Sequence, residues 1–188
     1  LIDQSQARRQ ELTRLLGTQL EFEPRRRQDL DMIFLIASPE QGRQIKPTLA
    51  FHYASDLPVY ATSHIYSGRE NPEENRDLNG IRFNTMPWLL GGNFPEKLLL
   101  EQHSQSSAIY NRLHALGVDA FRLYPRLPQL QSIEQARLYG ATGALRMARG
   151  HRLEREQVWA KFQRGRARPV TSPQPKDQPL ESAYVSPQ

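Results

Sequence analysis

The sequence predicts an α/β fold built on a parallel β-sheet, and residues 32–62 contain the observations behind that prediction. Residues 32–37 (Met-Ile-Phe-Leu-Ile-Ala) are apolar at every position, as is typical of a central parallel strand covered by helices on both faces. Residues 57–62 resemble a second short strand, and a helix-like stretch separates the two. A strand, a crossover helix and a second strand within about 30 residues make a βαβ unit.

Two helices are predicted around the first strand. Residues 4–16 form an amphipathic pattern that Gly17 ends, with Leu12, Leu15 and Leu16 on its apolar side. The crossover helix begins after Ser38, because Ser38 and Gln41 have the spacing of a capping box and Pro39 suits the first helical position. The apolar residues of this helix recur at helical spacing, and they are Ile45, Leu49 and either His52 or Tyr53. Pro47 is expected to kink or restart the helix.

Shorter elements are predicted in the second half of the chain. Residues 81–83 form another strand after the Asn79-Gly80 turn. A helix at residues 105–116 ends at Gly117, and Asp119 is then expected to cap the next helix. The apolar side of the 105–116 helix consists of Ile109, Leu113 and Leu116. Residues 140–162 are expected to form a closing β-hairpin, followed by a disordered tail at residues 169–188 rich in Pro, Ser and Gln.

The net charge of +5 does not by itself indicate a nucleic-acid-binding protein. Residues 1–31 balance six arginines against six acids, whereas residues 151–170 hold a local excess of four positive charges. No helix-turn-helix, zinc finger or base-stacking motif accompanies that excess, so we expect no nucleic-acid partner. No apolar run approaches the roughly 20 residues that a membrane-spanning helix needs.

Catalytic and cofactor motifs are missing from the sequence. It has no GxSxG, HExxH, GxxxxGK[ST] or GxGxxG pattern, and it lacks cysteine. The five histidines show no metal-ligand spacing. We therefore expect a protein without cofactor, metal or enzymatic activity.

Two groups of residues are candidates for a partner surface or a ligand cleft. The first is the guanidinium cluster of Arg25, Arg26 and Arg27, which could clamp an acidic partner. Pairing of these arginines with the neighbouring acids is the favoured interpretation, since local charge is balanced. The second is the aromatic set Tyr60, Tyr66 and Trp88, which lies near strand ends, where α/β folds place clefts, although packing in the core explains it as well.

Ten stretches of the chain together carry a family resemblance, namely residues 20–29, 32–37, 45–47, 51–63, 65–68, 77–80, 86–90, 94–95, 117–120 and 140–143. They resemble the C-terminal domain of the penicillin-binding protein activator LpoA, a family also called YraM. The resemblance implies a type I periplasmic-binding-protein-like fold of two lobes with Rossmann-like parallel sheets. In this chain most of the first lobe is expected to be absent. Residues 1–168 then form the domain, with about 1–64 and 138–168 in the second lobe and about 80–130 in the first.

The resemblance also implies a function. It indicates a non-enzymatic activator of a class A bifunctional penicillin-binding protein, a peptidoglycan synthase, with peptidoglycan itself as a second candidate partner. The full-length lipoprotein would lie in the periplasm, attached to the outer membrane through a lipid anchor outside this chain. The alternative is a periplasmic solute-binding or ligand-sensing domain, because the same fold binds small ligands between its lobes.

Overall fold

A computed structural model describes residues 3–18, 29–103, 110–133 and 135–170. Its helices are α1 (Asp3–Leu16), α2 (Pro39–Phe51), α3 (Pro95–His103), α4 (Asn111–Leu123) and α5 (Leu127–Ser132). Its strands are β1 (Ile33–Leu35), β2 (Val59–Ala61), β3 (Arg82–Thr85), β4 (Leu138–Tyr139), β5 (Ala144–Ala148), β6 (Arg152–Glu156), β7 (Val158–Gln163) and β8 (Arg166–Pro169).

The strands form two sheets. Five strands make a mixed sheet in the order β1-β2-β3-β7-β8, in which β1, β2 and β3 are parallel and β7 and β8 are antiparallel. The other three strands make an antiparallel sheet in the order β4-β5-β6. Parallel pairs joined by a crossover helix confirm the α/β class and the βαβ unit over β1, α2 and β2.

Local signals placed the start of α2 correctly. The Ser38 hydroxyl accepts the backbone N–H of Gln41, and the Gln41 side chain accepts the backbone N–H of Ser38 at 2.9 Å. Pro39 occupies the first turn, where its missing N–H removes no helical hydrogen bond. The predicted restart at Pro47 does not occur, because α2 runs through Pro47 to Phe51 as one helix, while the alternative of a kink at Pro47 stays a prediction.

The prediction that residues 32–37 form a central, doubly covered strand is also wrong. Strand β1 is shorter, and it is the edge strand of the five-stranded sheet among the described residues. Only one of its faces is covered, so Leu35 is buried while Met32, Phe34 and Ile36 are 57%, 62% and 75% exposed. Because successive side chains of a strand point to opposite faces, an all-apolar run does not show that both faces are covered.

Helix α4 differs from its prediction in position and in its buried side. Residues 104–109 lie outside the described residues, and α4 continues through Gly117 to Leu123. Asp119 is therefore inside this helix and does not cap a following one. Leu113 and Leu116 are exposed, whereas the residues that α4 buries are Ala115 and Asp119.

The C-terminal part of the chain forms two hairpins. Strands β5 and β6 pair in the second sheet, and strands β7 and β8 pair in the first. The predicted tail begins too early, because Pro169 ends β8 and the N–H of Val170 donates to the Trp159 carbonyl at 2.8 Å. The rest of the predicted tail, residues 171–188, lies outside the described residues.

Strand β3 bears on the predicted lobe boundaries. The prediction places residues from about 80 onward in the first lobe. Strand β3 pairs with β2, so residues 82–85 belong to the same sheet as the strands within residues 33–61. The division of the remaining residues between two lobes stays a prediction.

The main core lies on the covered face of the five-stranded sheet. Phe83 and Phe162 stack with ring centroids 4.8 Å apart, and the Tyr66 ring meets Phe162 edge-on at 5.8 Å. Residues of the surrounding helices pack against this cluster, namely Ile45 and Leu49 of α2, Leu100 of α3 and Val118 of α4. Ile45 and Leu49 confirm two positions of the apolar side that the sequence predicts for α2, whereas the third is wrong, because His52 and Tyr53 follow the end of the helix and are exposed.

Mutations on the two faces of this sheet should lower stability by different amounts. Phe83→Ala should lower the free energy of unfolding by about 3–5 kcal/mol, because it removes a fully buried ring. Phe34→Asp should lower it by less than about 1 kcal/mol, because the side chain is already largely in water. Urea denaturation followed by circular dichroism would measure both values. Equal losses in the two variants would contradict this assignment of the covered face.

Candidate ligand pocket and partner surface

A pocket of about 450 Å³ opens at the carboxyl ends of β1 and β2. The α2 N-terminus that follows β1 forms one wall, and the segment that follows β2 forms another. Parallel strands bring such loops to one edge of the sheet, which is where open α/β sheets bind ligands. The lining residues are Pro39, Glu40, Arg43, His64, Tyr66, Ser67, Arg69, Asn71, Glu74 and Arg112.

The segment after β2 is held in place by a side chain of α4. Arg112 donates from Nη1 to the Ser63 hydroxyl at 3.2 Å, and from Nη2 to the backbone carbonyls of Ser63 and Tyr66. A planar guanidinium can satisfy three acceptors at once. Arg112 therefore positions the pocket wall.

Ion pairs and hydrogen bonds engage the carboxylates of the pocket. Glu74 accepts Nη2 of Arg43 at 3.0 Å, and the same nitrogen lies 3.1 Å from the side-chain oxygen of Asn75. Glu40 accepts the Ser38 hydroxyl at 2.9 Å. This hydrogen bond, together with the backbone N–H of Glu40 and the charge of Arg43, holds the pKa of Glu40 below its usual range.

Tyr66 is the most buried polar side chain of the pocket. It is 3% exposed and lines the pocket. Burial, with a smaller contribution from the charge of Glu70, raises the pKa of Tyr66 to about 12. Its hydroxyl therefore stays protonated at neutral pH and can donate a hydrogen bond.

The structure separates the residues that the sequence groups as candidates. Tyr66 lines the pocket, whereas Tyr60 lies on the open face of the five-stranded sheet. Trp88 is 1% exposed and tilts against Phe94 at 5.4 Å, so it is a core residue with no surface to offer a partner. Arg25, Arg26 and Arg27 lie outside the described residues.

A row of directly opposed residues crosses the open face of the sheet. In register from β1 to β8, it consists of Phe34, Tyr60, Arg82, Lys161 and Arg168. Their neighbours along the strands point into the core, as Phe83 and Phe162 show. Here we name Tyr60, Arg82, Trp159, Lys161 and Arg168 the aromatic–arginine patch.

Contacts within the aromatic–arginine patch hold its centre in one geometry. Arg82 donates from Nη1 to the Tyr60 hydroxyl at 2.9 Å, and its guanidinium carbon lies 5.7 Å from the centroid of that ring. Trp159 meets Tyr60 edge-on, with centroids 6.1 Å apart, and is 40% exposed. The patch therefore presents ordered aromatic rings beside three cationic side chains.

Asp119 is a structural anchor that sequence reasoning missed. It is 2% exposed, and its carboxylate accepts three hydrogen bonds from the turn at residues 140–143. The donors are the N–H of Ala141 at 2.6 Å, the N–H of Thr142 at 2.7 Å and the Thr142 hydroxyl at 2.6 Å. An added Cβ at Gly140 would lie 2.4 Å from the Asp119 carboxylate, so only glycine fits there.

A signal for both polar anchors of α4 was present in the sequence. Arg112, Ala115 and Asp119 are spaced three and four residues apart, which puts them on one side of a helix. When charged residues share one side of a helix with a small apolar residue, the pattern indicates that this side packs closely and that the charged residues make buried polar contacts. That pattern becomes visible only once the helix is placed at residues 111–123.

The described ranges contain neither a metal-binding cluster nor a membrane-spanning helix. There, no group of three or more His, Cys, Asp or Glu residues could hold a metal ion. None of the helices in the same ranges is both long enough and apolar enough to span a bilayer.

Comparisons with solved structures define the class of protein. The C-domain of LpoA (YraM) from Haemophilus influenzae, described as a regulator of PBP1A, superposes with a TM-score of 0.64 at 23% identity. That match covers 89% of this chain and 57% of the other. A "putative branched-chain amino acid ABC transporter" from Chromobacterium violaceum matches with a TM-score of 0.52 at 27% identity, over 84% of this chain and 54% of the other. The fold is α/β and periplasmic-binding-protein-like.

Sequence comparison then gives the family. Residues 1–165 match the family described as "LppC putative lipoprotein", and the chain belongs to that family. The penicillin-binding protein activator LpoA of Aliivibrio fischeri is 32% identical over 163 residues. That alignment covers 85% of this chain and 27% of the relative, so the chain spans about a quarter of the length of that protein. The resemblance stated from the sequence is confirmed.

Removing the buried carboxylate should destabilise the domain. Asp119→Ala leaves two N–H groups and a hydroxyl without an acceptor, so the free energy of unfolding should fall by about 3 kcal/mol or more. Asp77→Ala is the matched control, because this exposed acid should change stability by less than about 0.5 kcal/mol. Thermal and urea denaturation would measure both. Similar losses in the two variants would show that the Asp119 hydrogen bonds contribute little.

Proposed function

We propose that this chain is part of an activator of a class A bifunctional penicillin-binding protein and acts by binding rather than by catalysis. The observation that supports this is the family match over residues 1–165, whose relatives are named penicillin-binding protein activators. The similar solved domain is described as a regulator of PBP1A. The absence of recognisable catalytic motifs from the sequence supports a non-enzymatic role.

The proposed location is the periplasm, with the full-length protein attached to the outer membrane by a lipid anchor. The description of the family as a lipoprotein supports this location. The synthase is the proposed direct partner, and peptidoglycan is the second.

The aromatic–arginine patch is the proposed docking surface for the synthase. Arg, Tyr and Trp are the side chains enriched among residues that dominate protein–protein binding energies. Arg82, Lys161 and Arg168 supply three positive charges, and no carboxylate belongs to the patch. The complementary partner surface is acidic, and such pairing accelerates association.

The patch should be needed for binding and stimulation of the synthase. Arg82→Ala removes both a cation and the hydrogen bond that orients Tyr60. Affinity for a purified class A synthase should fall by about tenfold, which is 1.4 kcal/mol. Biolayer interferometry would measure the affinity, and glycan polymerisation assays would measure stimulation.

Arg76→Ala is the matched control for that variant. Arg76 is an exposed arginine in the short helix of residues 74–78, which packs against α2, and it is not part of the patch. It should bind the synthase like the parent protein. If the two variants bind alike, the patch is not the docking surface. If the parent chain binds no class A synthase at all, the proposed activator function itself fails for this chain.

The arginine cluster of residues 25–27 gives a separate prediction. Because acids balance its charge locally, changing all three arginines to Ala should lower stability modestly and leave synthase binding within about twofold of the parent. A folded triple variant that no longer stimulates the synthase would make these arginines the docking site instead. Adding salt to the parent complex provides a second measurement, since a guanidinium clamp would be strongly salt-dependent.

A further inference from the structure

Helix α4 turns its apolar side to solvent. Its exposed residues are all apolar or glycine and recur three and four residues apart: Leu113, Leu116, Gly117, Ala120 and Phe121. Tyr124, which follows the helix, continues the series and is 80% exposed. This is the spacing with which a helix normally faces a protein core. We call these six residues the α4 stripe.

The opposite side of α4 carries its charged groups, and these hold the helix to the domain. Arg112 bonds to the segment after β2, and Asp119 bonds to the turn before β5. Arg122 donates two hydrogen bonds to the Glu96 carboxylate, at 2.8 and 2.7 Å. Three polar anchors therefore fix the rotation of α4 about its own axis, and the α4 stripe cannot turn inward without breaking them. A contiguous exposed apolar surface of this kind marks an interaction site.

Gly117 indicates that another helix approaches the α4 stripe closely. Glycine destabilises the interior of a helix relative to alanine. A Cβ added at Gly117 would meet no heavy atom within 4 Å, so nothing in the described part of the chain requires glycine at this position. A second helix crossing here would require it, because the distance between two packed helix axes depends on the side chains at the contact.

We propose that the α4 stripe binds the α4 stripe of a second copy of this chain, in an antiparallel two-fold dimer whose helices cross at Gly117. A two-fold axis brings the same residue of both copies to the crossing point. Gly117 is the midpoint of α4, six residues from Asn111 and six from Leu123, so both helices would be in contact along their full length. Leu113 of one copy then lies opposite Phe121 of the other.

Charge favours a second copy on the α4 stripe rather than on the open face of the sheet. The stripe contains no charged residue, so two copies meet there without like-charge repulsion. The aromatic–arginine patch carries three cations, on Arg82, Lys161 and Arg168, which would face the same cations of a second copy. Juxtaposed like charges suppress such a pairing. This inference does not depend on the proposed activator function.

The size of the α4 stripe predicts a dimer that dissociates on dilution. Phe121 and Tyr124 are 84% and 80% exposed. A whole aromatic side chain buries roughly 150–250 Å², so the two rings offer about 300 Å² per copy. Leu113 and Leu116 add to this area, yet a standard interface buries roughly 800 Å² per partner. We therefore expect a reversible dimer.

The test is analytical ultracentrifugation of the complete 188-residue chain over a series of concentrations, with no synthase present. The parent chain should pass from monomer to dimer as its concentration rises. Phe121→Glu alters a side chain that is exposed in the monomer but buried in the dimer, so the fold should persist while the dimer Kd rises at least tenfold. Phe51→Glu is the matched control, because Phe51 is 80% exposed at the end of α2 and lies outside the stripe. It should dimerise like the parent chain.

Gly117→Ala should change the fold and the dimer in opposite directions. The added methyl group meets nothing in the monomer, so the Tm of the dilute chain should rise by about 2–4 °C. The same methyl group lies at the helix crossing of the dimer, and the dimer Kd should rise at least tenfold. If Gly117 mattered only within the monomer, the variant would leave the Kd unchanged.

Several results would overturn the proposal. One is a parent chain that stays monomeric at every concentration, including a monomer that instead sediments with phospholipid vesicles and thereby assigns the α4 stripe to a lipid surface. Another is a dimer that Phe121→Glu and Phe51→Glu weaken equally. A dimer that survives Phe121→Glu but is lost in Phe34→Asp would place the contact on the open face of the sheet.

Discussion

Two polar anchors on α4 connect parts of the domain that are distant in sequence. Arg112 holds the segment after β2, and Asp119 holds the turn before β5. The two residues are two helical turns apart on one side of α4, so a single rigid helix fixes both. The turn is tied further to the core, because the N–H of Trp88 donates to the Ala141 carbonyl at 3.0 Å. The pocket wall and the start of the second sheet therefore depend on the placement of one helix.

The five-stranded sheet has two faces with different roles. One face holds the stacked rings of Phe83 and Phe162 and supplies most of the packing in the main core. The other exposes the apolar residues of β1 at one end and the aromatic–arginine patch beyond them. An exposed surface with apolar and cationic residues side by side is suited to association with another protein surface.

The pocket and the aromatic–arginine patch lie on different parts of the sheet, and both include residues from β2 or from the segment that follows it. Tyr60 within β2 points to the open face, while the segment after β2 bears His64 and Tyr66 at the sheet edge. A strand fixes residues on its faces, and the loop after it approaches a cleft. One βαβ unit thus contributes both to the open sheet face and to the pocket at the strand ends.

The sequence by itself determined the α/β class, the capped start of α2 and the family of the chain. These follow from local rules, such as the spacing of Ser38 and Gln41, and from the long series of matching segments. Tertiary structure decided which of the other apolar residues are buried, because burial depends on what covers a side chain as well as on its polarity. Phe34 is therefore exposed and Trp88 buried, although both are aromatic. It also decided the role of Asp119, whose partners lie more than 20 residues away and have no local spacing to indicate them.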